Sequence, residues 1–213
     1  MTEIIKVDPF ILDRAPIEKA LGILRDGGLV IYPTRCLYGL GADATNPAAI
    51  EKVFAVKGRS LNRPISVLCQ DAVCLRRIVQ RVPPHGERIM KRFWPGWVTL
   101  VFEANDALPS VLTAGLGKIG VRLPANPVGA ALVAGLGRPL TATSANLSGA
   151  DGCFRVQDLP RVVLDRVDLV LDAGQLEGGP GSTVVDVTGP VPVILREGMV
   201  SAHGLKSLYG KVF

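Results

Sequence analysis

The sequence contains few of the side chains on which most hydrolases and metalloenzymes depend. Of its 213 residues only two are histidine, His85 and His203, and neither lies in a recognisable catalytic motif. The four cysteines form no Cys-x-x-Cys pair, so we expect reduced thiols rather than a zinc site. A Ser-His-Asp or Cys-His hydrolase is disfavoured because histidine is so scarce. The sequence predicts no protein-bound metal.

Aromatic side chains and long apolar runs are also scarce. Aromatic residues make up 5% of the chain, whereas proteins that hold single strands by base stacking usually carry more. No stretch approaches the roughly 18 uninterrupted apolar residues of a membrane span, and the N-terminus has no apolar core of signal-peptide length. We therefore expect a cytoplasmic protein without a membrane partner. The two common nucleotide-binding motifs, the Walker loop and a GxGxxG after a strand, do not occur.

The composition supplies a large core and a modest excess of positive charge. Hydrophobic residues make up 48% of the chain, and the formal net charge is +5. The length favours one domain over two, so we expect a single domain spanning residues 1–213. The positive charge favours anionic partners such as nucleotides or RNA.

Helical and strand patterns alternate along the chain, without an internal repeat or a low-complexity linker. Asp13 is positioned to cap a first helix, and Asn46-Pro47 predicts the start of another helix that ends at Lys57. Strands are predicted from the apolar patterns of LVIYPT, ISVLC, WVTLVFE, IGVRL, LTATS, DLVLDAG, STVVDVT and PVILRE. Further helices are predicted from DAVCLRRIVQR, PHGERIMKRF, NPVGAALVAGLG, DLPRVVLDRV and SAHGLKSLYGKV. This alternation predicts an α/β fold with a twisted, mixed sheet and flanking helices.

One short segment, VKGRSLNRP, concentrates positive charge without a carboxylate. Lys57, Arg59 and Arg63 lie within seven residues of one another. Three polar or glycine-rich segments, YPTRCLYGLG, TSANLSG and DAGQLEGGPGS, follow apolar strands. Ligands of open α/β sheets bind at strand ends, where loop amides and helix N-termini converge. The segment VKGRSLNRP therefore indicates a site for one or more anions.

Seven motifs occur in the order found in one family. IYPTRCLYGLG, KGR, RFWPGWVTLVF, GVRLP, TSANLSG, GSTVVDVTG and VILREG resemble the YrdC-type threonylcarbamoyl-adenylate synthases, from about Gly27 to Gly198. The resemblance implies a twisted α/β sheet with a positively charged concave surface. It implies synthesis of threonylcarbamoyl-AMP and pyrophosphate from L-threonine, bicarbonate and ATP, for threonylcarbamoyl modification of tRNA. Mg²⁺ should arrive with ATP rather than sit in a protein cage, and other tRNA-modification proteins are the expected partners.

The resemblance also implies roles for individual residues. All the reagents are anionic or become so, and threonine brings its own amine, so the site needs cations, hydroxyls and amides. The catalytic, triphosphate-binding pairs Lys-x-Arg and Ser-x-Asn match Lys57, Arg59, Ser144 and Asn146. Further ATP-contacting positions match Arg63, Thr113 and Arg196. The threonine site matches Thr34, Arg122 and Ser182, where the bidentate fork of the arginine suits a carboxylate.

The sequence departs from the family pattern at several positions. Arg35 and Cys36 follow Pro-Thr, where the family usually has an acidic and a small polar residue, so Arg35 adds positive charge at the rim. Ser60 replaces the usual proline, and Arg63 and Leu68 replace an asparagine and a histidine of the longer relatives. Those relatives carry a second C-terminal domain, so the match is to the short, single-domain form.

Two other functions remain open. The first is an RNA-binding module without synthase activity, which would bind tRNA or double-stranded RNA through the concave surface and the basic segment RRIVQRVPPHGERIMKR. The second is a paralogue, such as a carbamoyl-transfer domain of the kind found in hydrogenase maturation. Paralogues of that kind often lose the Lys-x-Arg and Ser-x-Asn residues, which this chain keeps, so the synthase is favoured.

Overall fold

The computed structural model describes residues 2–207, in which helices and strands alternate. The strands are β1 (Glu3–Lys6), β2 (Val30–Pro33), β3 (Tyr38–Gly41), β4 (Val67–Leu68), β5 (Val98–Glu103), β6 (Lys118–Arg122), β7 (Leu140–Thr141), β8 (Thr143–Ser144), β9 (Leu169–Asp172), β10 (Thr183–Asp186) and β11 (Val193–Arg196). The helices are α1 (Arg14–Arg25), α2 (Pro47–Lys57), α3 (Ala72–Ile78), α4 (Pro84–Phe93), α5 (Ser110–Thr113), α6 (Pro127–Leu136), α7 (Arg161–Leu164) and α8 (Ala202–Lys206). The rest of the closing helix predicted from SAHGLKSLYGKV lies outside the described residues.

The strands divide into two mixed sheets. The first has the order β1-β9-β2-β3-β8, in which β1 and β2 run parallel to β9 and the other pairs are antiparallel. The second has the order β11-β10-β5-β6-β4-β7, with parallel pairs β10–β5 and β4–β6. The predicted mixed α/β class is confirmed, and the structure adds that there are two sheets rather than one.

The segment LTATS, predicted as one strand, contributes to both sheets. β7 pairs with β4 in the second sheet, whereas β8 pairs with β3 in the first. The break falls at Ala142, whose amide donates to the carbonyl of Ser66 (2.7 Å). Since Gly39 faces Ser144 across the β3–β8 pair, this crossing carries the Ser-x-Asn motif to the place where the two sheets meet.

The helix starts follow the predicted capping residues. The Asp13 side chain accepts a hydrogen bond from Ala15 N (3.1 Å), and the Asn46 side chain accepts one from Ala49 N (3.3 Å). Helix α2 ends at Lys57, as predicted. Gly58 follows with φ +56°, a conformation that glycine adopts without strain and that lets the chain turn sharply. Lys57 and Arg59 consequently lie on either side of a tight turn.

Three elements were not predicted from the sequence: β1, β3 and α5. Strand β3 is YGLG, in which glycine obscures any strand pattern. Its glycines are required because the Tyr32 ring packs over them: a Cβ atom on Gly39 or Gly41 would lie 3.0 Å from ring carbons of Tyr32. Strand β1 is largely exposed, so it lacks the apolar pattern of a buried strand, and it pairs with β9 at the edge of the first sheet.

The second sheet separates a cavity from the basic helix α4. Thr99 and Val101 of β5 face the cavity, whereas Phe102 faces the opposite side, where a Cβ atom on Gly86 of α4 would lie 3.5 Å from its ring. The buried Leu75 of α3 belongs to the same hydrophobic cluster as Phe102. Helix α4 therefore covers the side of the sheet that faces away from the cavity, and no residue of α3 lines the cavity. None of the helices between residues 2 and 207 has the length and apolar character needed to cross a bilayer.

Candidate functional site

A cavity of about 610 Å³ collects side chains from segments far apart in the chain. This volume is within the usual range for small-molecule sites. Eight of the ten residues predicted from the sequence line it: Thr34, Lys57, Arg59, Arg122, Ser144, Asn146, Ser182 and Arg196. The predicted convergence of the Lys-x-Arg and Ser-x-Asn pairs is therefore present in the fold.

The charges that line the cavity are strongly unbalanced. Six cations line it, namely Arg35, Lys57, Arg59, Lys118, Arg122 and Arg196, and among the described residues only one carboxylate, Asp186, does so. That carboxylate accepts a hydrogen bond from Lys118 (2.8 Å) and others from Thr188. Burial acts to raise the pKa of Asp186, but these hydrogen bonds lower it below its ordinary value. The other five cations therefore give the cavity a net affinity for anions.

Lys57 is buried under the loop that carries the Ser-x-Asn motif. Only 2% of it is exposed, and its Nζ donates to the main-chain oxygens of Ser144 and Asn146 and to Asn146 Oδ1 (3.1 Å). In return, Ser148 N donates to the Lys57 carbonyl (2.8 Å). An ammonium group has three donors, and all three are used. Burial, and then the nearby Arg59, lower the pKa of Lys57 to about 8.

In this geometry Lys57 has no free donor, so the direct phosphate contact that the resemblance implies stays a prediction and would require one of these bonds to be exchanged. Its hydrogen bonds hold the loop from Ser144 to Ser148, while its charge still acts on the cavity. The side chains of that loop are likewise bonded to each other, because Ser144 Oγ donates to Asn146 Oδ1 and Asn146 Nδ2 donates to the Ala150 carbonyl. The pair therefore shapes the cavity wall as one unit with Lys57.

Arg59 is held more loosely than Lys57. Its Nε donates to the carbonyl of Arg63 (3.1 Å) and its Nη2 to the carbonyl of Pro64 (2.8 Å). No acceptor within residues 2–207 bonds to its Nη1. Burial, and then Arg63, lower the pKa of Arg59, so the charged guanidinium is under-solvated. Arg59 thus keeps donors and charge available for an anion.

The structure does not bring Arg63 and Thr113 to the cavity. Arg63 is exposed, and its main-chain carbonyl rather than its side chain faces Arg59. Thr113 is only 5% exposed, and its hydroxyl donates to the Ser110 carbonyl (3.1 Å) within α5. The geometry gives no support to the nucleotide contacts that the sequence motifs assigned to these two residues.

Ser182 is the centre of a second polar group. Arg122 Nη1 donates to its hydroxyl oxygen (2.7 Å), Thr99 Oγ1 lies 2.8 Å from the same oxygen, and Arg196 Nη2 donates to its carbonyl (2.8 Å). In the part of the chain that the structure describes, neither arginine lies within ion-pair distance of a carboxylate. A purely structural role, in which Arg122 would pair with a core carboxylate and Arg196 with the adjacent Glu197, therefore has no ion pair among the described residues to support it.

The electrostatic state of Arg122 follows from this arrangement. Burial lowers its pKa, Tyr32 acts to raise it, and Arg196 lowers it further. Arg122 stays charged because an arginine pKa remains far above neutral. A partly buried cation without a counter-ion is a strong site for a carboxylate.

Thr34 completes this part of the cavity. Its Oγ1 donates to the Leu37 carbonyl (2.6 Å), which leaves the oxygen's lone pairs as acceptors. Tyr32, in the strand before it, donates to the Thr141 carbonyl (3.0 Å) and spans the two sheets. Burial raises the pKa of Tyr32, so its hydroxyl stays protonated and structural.

Lys118 and Asp186 line the cavity but were not predicted from the sequence. The signal for Lys118 was present, because Lys118 and Arg122 are four residues apart in one strand and strand side chains alternate with a period of two. Gly120 lies between them, and a Cβ atom there would lie 2.5 Å from Ser66 Oγ. Residue 120 therefore has no side chain, and the cavity wall between Lys118 and Arg122 carries only backbone at this position. Within residues 2–207 no group of three or more His, Cys, Asp or Glu side chains is arranged to hold a metal ion.

Comparison with known proteins gives consistent matches. The Sua5_yciO_yrdC family model, described as "Telomere recombination", matches residues 22–198. The threonylcarbamoyl-AMP synthase of Pyrococcus abyssi is 34% identical over 196 residues, which cover 92% of this chain and 58% of that protein.

Two solved structures are also similar. The crystal structure of Pyrococcus abyssi Sua5 complexed with L-threonine has a TM-score of 0.91 at 30% identity and covers 100% of this chain and 62% of that one. The crystal structure of Escherichia coli YciO has a TM-score of 0.85 at 28% identity and covers 96% of this chain and 100% of that one. The chain thus spans less than two thirds of the length of the Pyrococcus protein and the full length of YciO.

Proposed function

The chain belongs to the Sua5/YciO/YrdC family, and from this premise we propose that it is an L-threonylcarbamoyladenylate synthase. The proposed reaction converts L-threonine, bicarbonate and ATP into threonylcarbamoyl-AMP, pyrophosphate and water. The amine of threonine forms a C–N bond to the bicarbonate carbon, and an oxygen of the resulting carbamate displaces pyrophosphate from the α-phosphorus. The product serves threonylcarbamoyl modification of tRNA.

One observation carries this proposal. Cations from four separate segments converge in one cavity, and among the described residues that line it there is no histidine. The cations are Arg35, Lys57 with Arg59, Lys118 with Arg122, and Arg196. Such a site suits a reaction in which the substrates supply both nucleophiles and the protein supplies positioning and charge. Binding of L-threonine by a structurally similar relative supports the choice of amino acid.

The proposed roles follow from which donors are available. Arg122 takes the carboxylate of the amino acid, with Ser182 and Thr34 beside it to pair the threonine hydroxyl. Arg59 and Arg196 take phosphate oxygens of ATP, assisted by the charge of Lys118. Lys57 holds the Ser144–Asn146 loop in position and adds positive charge. We propose that Mg²⁺ enters with the triphosphate, as its usual substrate-borne counter-ion.

Macromolecular partners form a separate part of the proposal. We propose that tRNA or double-stranded RNA contacts the exposed cations of α3 and α4, namely Arg76, Arg77, Arg88, Lys91 and Arg92. Because none of these cations lines the cavity, RNA binding and synthesis are separable. Other tRNA-modification proteins are the expected recipients of the product.

The decisive experiment measures pyrophosphate release from ATP and bicarbonate with each of several amino acids. Threonine should support release, and valine, its isostere, should be slower by orders of magnitude because it leaves buried hydroxyl partners unpaired. Mass spectrometry should detect threonylcarbamoyl-AMP. Equal rates with threonine and valine would contradict the assignment of threonine.

The second candidate is a protein of the same fold without synthase activity, because the chain also matches the full length of YciO, a protein whose name states no activity. That candidate predicts no amino-acid-dependent pyrophosphate release with any of the twenty amino acids.

A further inference from the structure

Arg35 is a cation at the cavity wall, and it has no role among those proposed above for the reaction. It follows Thr34 in the loop after β2 and lines the cavity. Its guanidinium carbon lies 3.7 Å from the centroid of the Trp97 ring, and its Nε donates to Glu177 Oε2 (3.0 Å). Arg35 therefore connects three segments at the cavity wall.

The Arg35 guanidinium is held in place, but most of its hydrogen-bond donors have no acceptor among the described residues. Stacking on Trp97 fixes the plane of the fork, and only Nε has a hydrogen-bond acceptor within residues 2–207, so Nη1 and Nη2 are free. The Arg35 side chain is 31% exposed and the Glu177 side chain 54%. An ion pair this exposed contributes little and exchanges readily, so another anion can compete with Glu177.

Arg35 and Arg122 act on the same part of the cavity wall. Cys36 is buried there, and although burial and Glu177 raise the pKa of its thiol, both Arg35 and Arg122 lie near enough to act against that rise. Trp97 is tied to this region too, because its carbonyl accepts a hydrogen bond from Thr183 N (3.1 Å), next to Ser182. Both guanidinium groups thus line the same cavity, and Trp97, on which Arg35 stacks, is bonded to the residue after Ser182.

The proposed reaction needs two anions side by side in this region, the carboxylate of the amino acid and bicarbonate. Arg122, already bonded to Ser182, takes the carboxylate. We propose that Arg35, which occupies a position where the family usually has an acidic residue, docks bicarbonate beside the substrate amine in this chain, an assignment that rests on the proposed synthase activity. The two free Nη donors on a plane fixed by Trp97 match the two oxygens of a bicarbonate face. Glu177 neutralises the guanidinium until bicarbonate arrives.

Two substitutions at the same ion pair test this proposal. Arg35→Gln should raise the KM for bicarbonate about tenfold and change the KM values for threonine and ATP by less than about twofold. Glu177→Gln should lower the KM for bicarbonate about threefold, because it removes the competing carboxylate. If the ion pair were merely structural, both variants would break the same bond and shift every parameter in the same direction.

Arg155 provides a matched control. Its guanidinium carbon lies 5.1 Å from the centroid of the Phe154 ring and its Nε donates to Asp158 (2.8 Å), but it does not line the cavity. Arg155→Gln removes a similar arginine–aromatic–acid group and should leave the KM for bicarbonate unchanged. A KM for bicarbonate in Arg35→Gln equal to that of Arg155→Gln, or a rise in the KM for threonine instead, would overturn the proposal.

A binding measurement separates this proposal from the proposed activity. Trp97 is one of two tryptophans, so in a Trp94→Phe background its fluorescence reports on the stacked guanidinium. Sodium bicarbonate titrated against sodium chloride at constant ionic strength, with threonine present, should give a saturable change that Arg35→Gln abolishes. A response in Arg35→Gln, or none in the unsubstituted background, would overturn the assignment of Arg35 even if pyrophosphate release is normal. An inactive protein with the expected response would instead reject the proposed synthase.

Discussion

Lys57 and Arg122 both line the cavity as partly or fully buried cations, yet their donors are used differently. Lys57 commits all three donors to the Ser144–Asn146 loop, so its replacement should affect both the fold and the site. Arg122 bonds to Ser182 and faces no carboxylate in the described part of the chain. A cation whose donors are taken positions its surroundings, and a cation with spare donors binds ligand. Activity and stability should therefore respond differently to the two substitutions.

The largest expected effect on activity is that of Arg122→Gln. Removing the cation that pairs the amino-acid carboxylate should lower kcat/KM for threonine on the order of 100- to 1000-fold. The Tm should hold or rise, because an under-solvated charge without a counter-ion is removed. Steady-state pyrophosphate release measures the change in kcat/KM, and thermal unfolding measures the change in Tm. A fall in Tm of several degrees would mean that Arg122 is chiefly structural.

Lys57→Met should have the opposite effect on stability, because it should lower the free energy of unfolding. The substitution removes the Lys57 donor from the Ser144 and Asn146 carbonyls and from Asn146 Oδ1, which should cost about 1–3 kcal/mol in the free energy of unfolding. Activity should fall by roughly 30- to 100-fold, because the loop loses its support and the cavity loses one positive charge. Denaturant unfolding measures the first effect. An unchanged or increased stability would contradict the positioning role and restore direct phosphate contact as the main task of Lys57.

The lowered pKa of Lys57 gives a proton-linked test of the same contrast. In the folded protein its pKa is about 8, against an ordinary 10.5, so between these values the unfolded chain holds more protons. This group therefore makes the protein more stable as the pH rises through that window. ATP should raise the pKa again, so its binding at pH about 8.5 should take up protons. Calorimetry in buffers of different ionisation enthalpy should detect this uptake in the native protein, and Lys57→Met should abolish it.

The smallest effect on synthesis is expected from substitutions in the basic helices α3 and α4. Replacing Arg76 and Arg77 of α3 by alanine should leave pyrophosphate release within about twofold, since both are exposed and no residue of α3 lines the cavity. If this surface binds RNA, the same change should flatten the slope of log affinity against log salt by about two, because each arginine neutralises about one phosphate. A large fall in synthesis would place α3 in the active site.

Much of the cavity could be predicted from the sequence because its residues lie in ordered motifs and at capped helix ends. Asn46 and the turn at Gly58 fix where α2 starts and stops, and so fix Lys57 and Arg59 in advance. The alternation of strand side chains also contained Lys118, although its significance was missed. These features are local, and local physical rules determine them.

What could not be predicted depends on contacts between distant segments. The division of LTATS between two sheets arises from pairing with β3 and β4, which no local pattern encodes. The donors of Lys57 are taken by carbonyls almost ninety residues away in the chain. Thr113 and Arg63 match sequence motifs but lie outside the cavity, since a motif gives the order of residues and not the direction of a side chain.

The contrast between the two cations is tested most directly by a crystal structure with L-threonine and a non-hydrolysable ATP analogue. The threonine carboxylate should lie about 3 Å from the guanidinium nitrogens of Arg122, and the triphosphate should lie against Arg59. Lys57 Nζ should keep its bonds to the Ser144 and Asn146 carbonyls. A Lys57 that leaves those carbonyls to bind the triphosphate, or a threonine bound away from Arg122, would contradict this account.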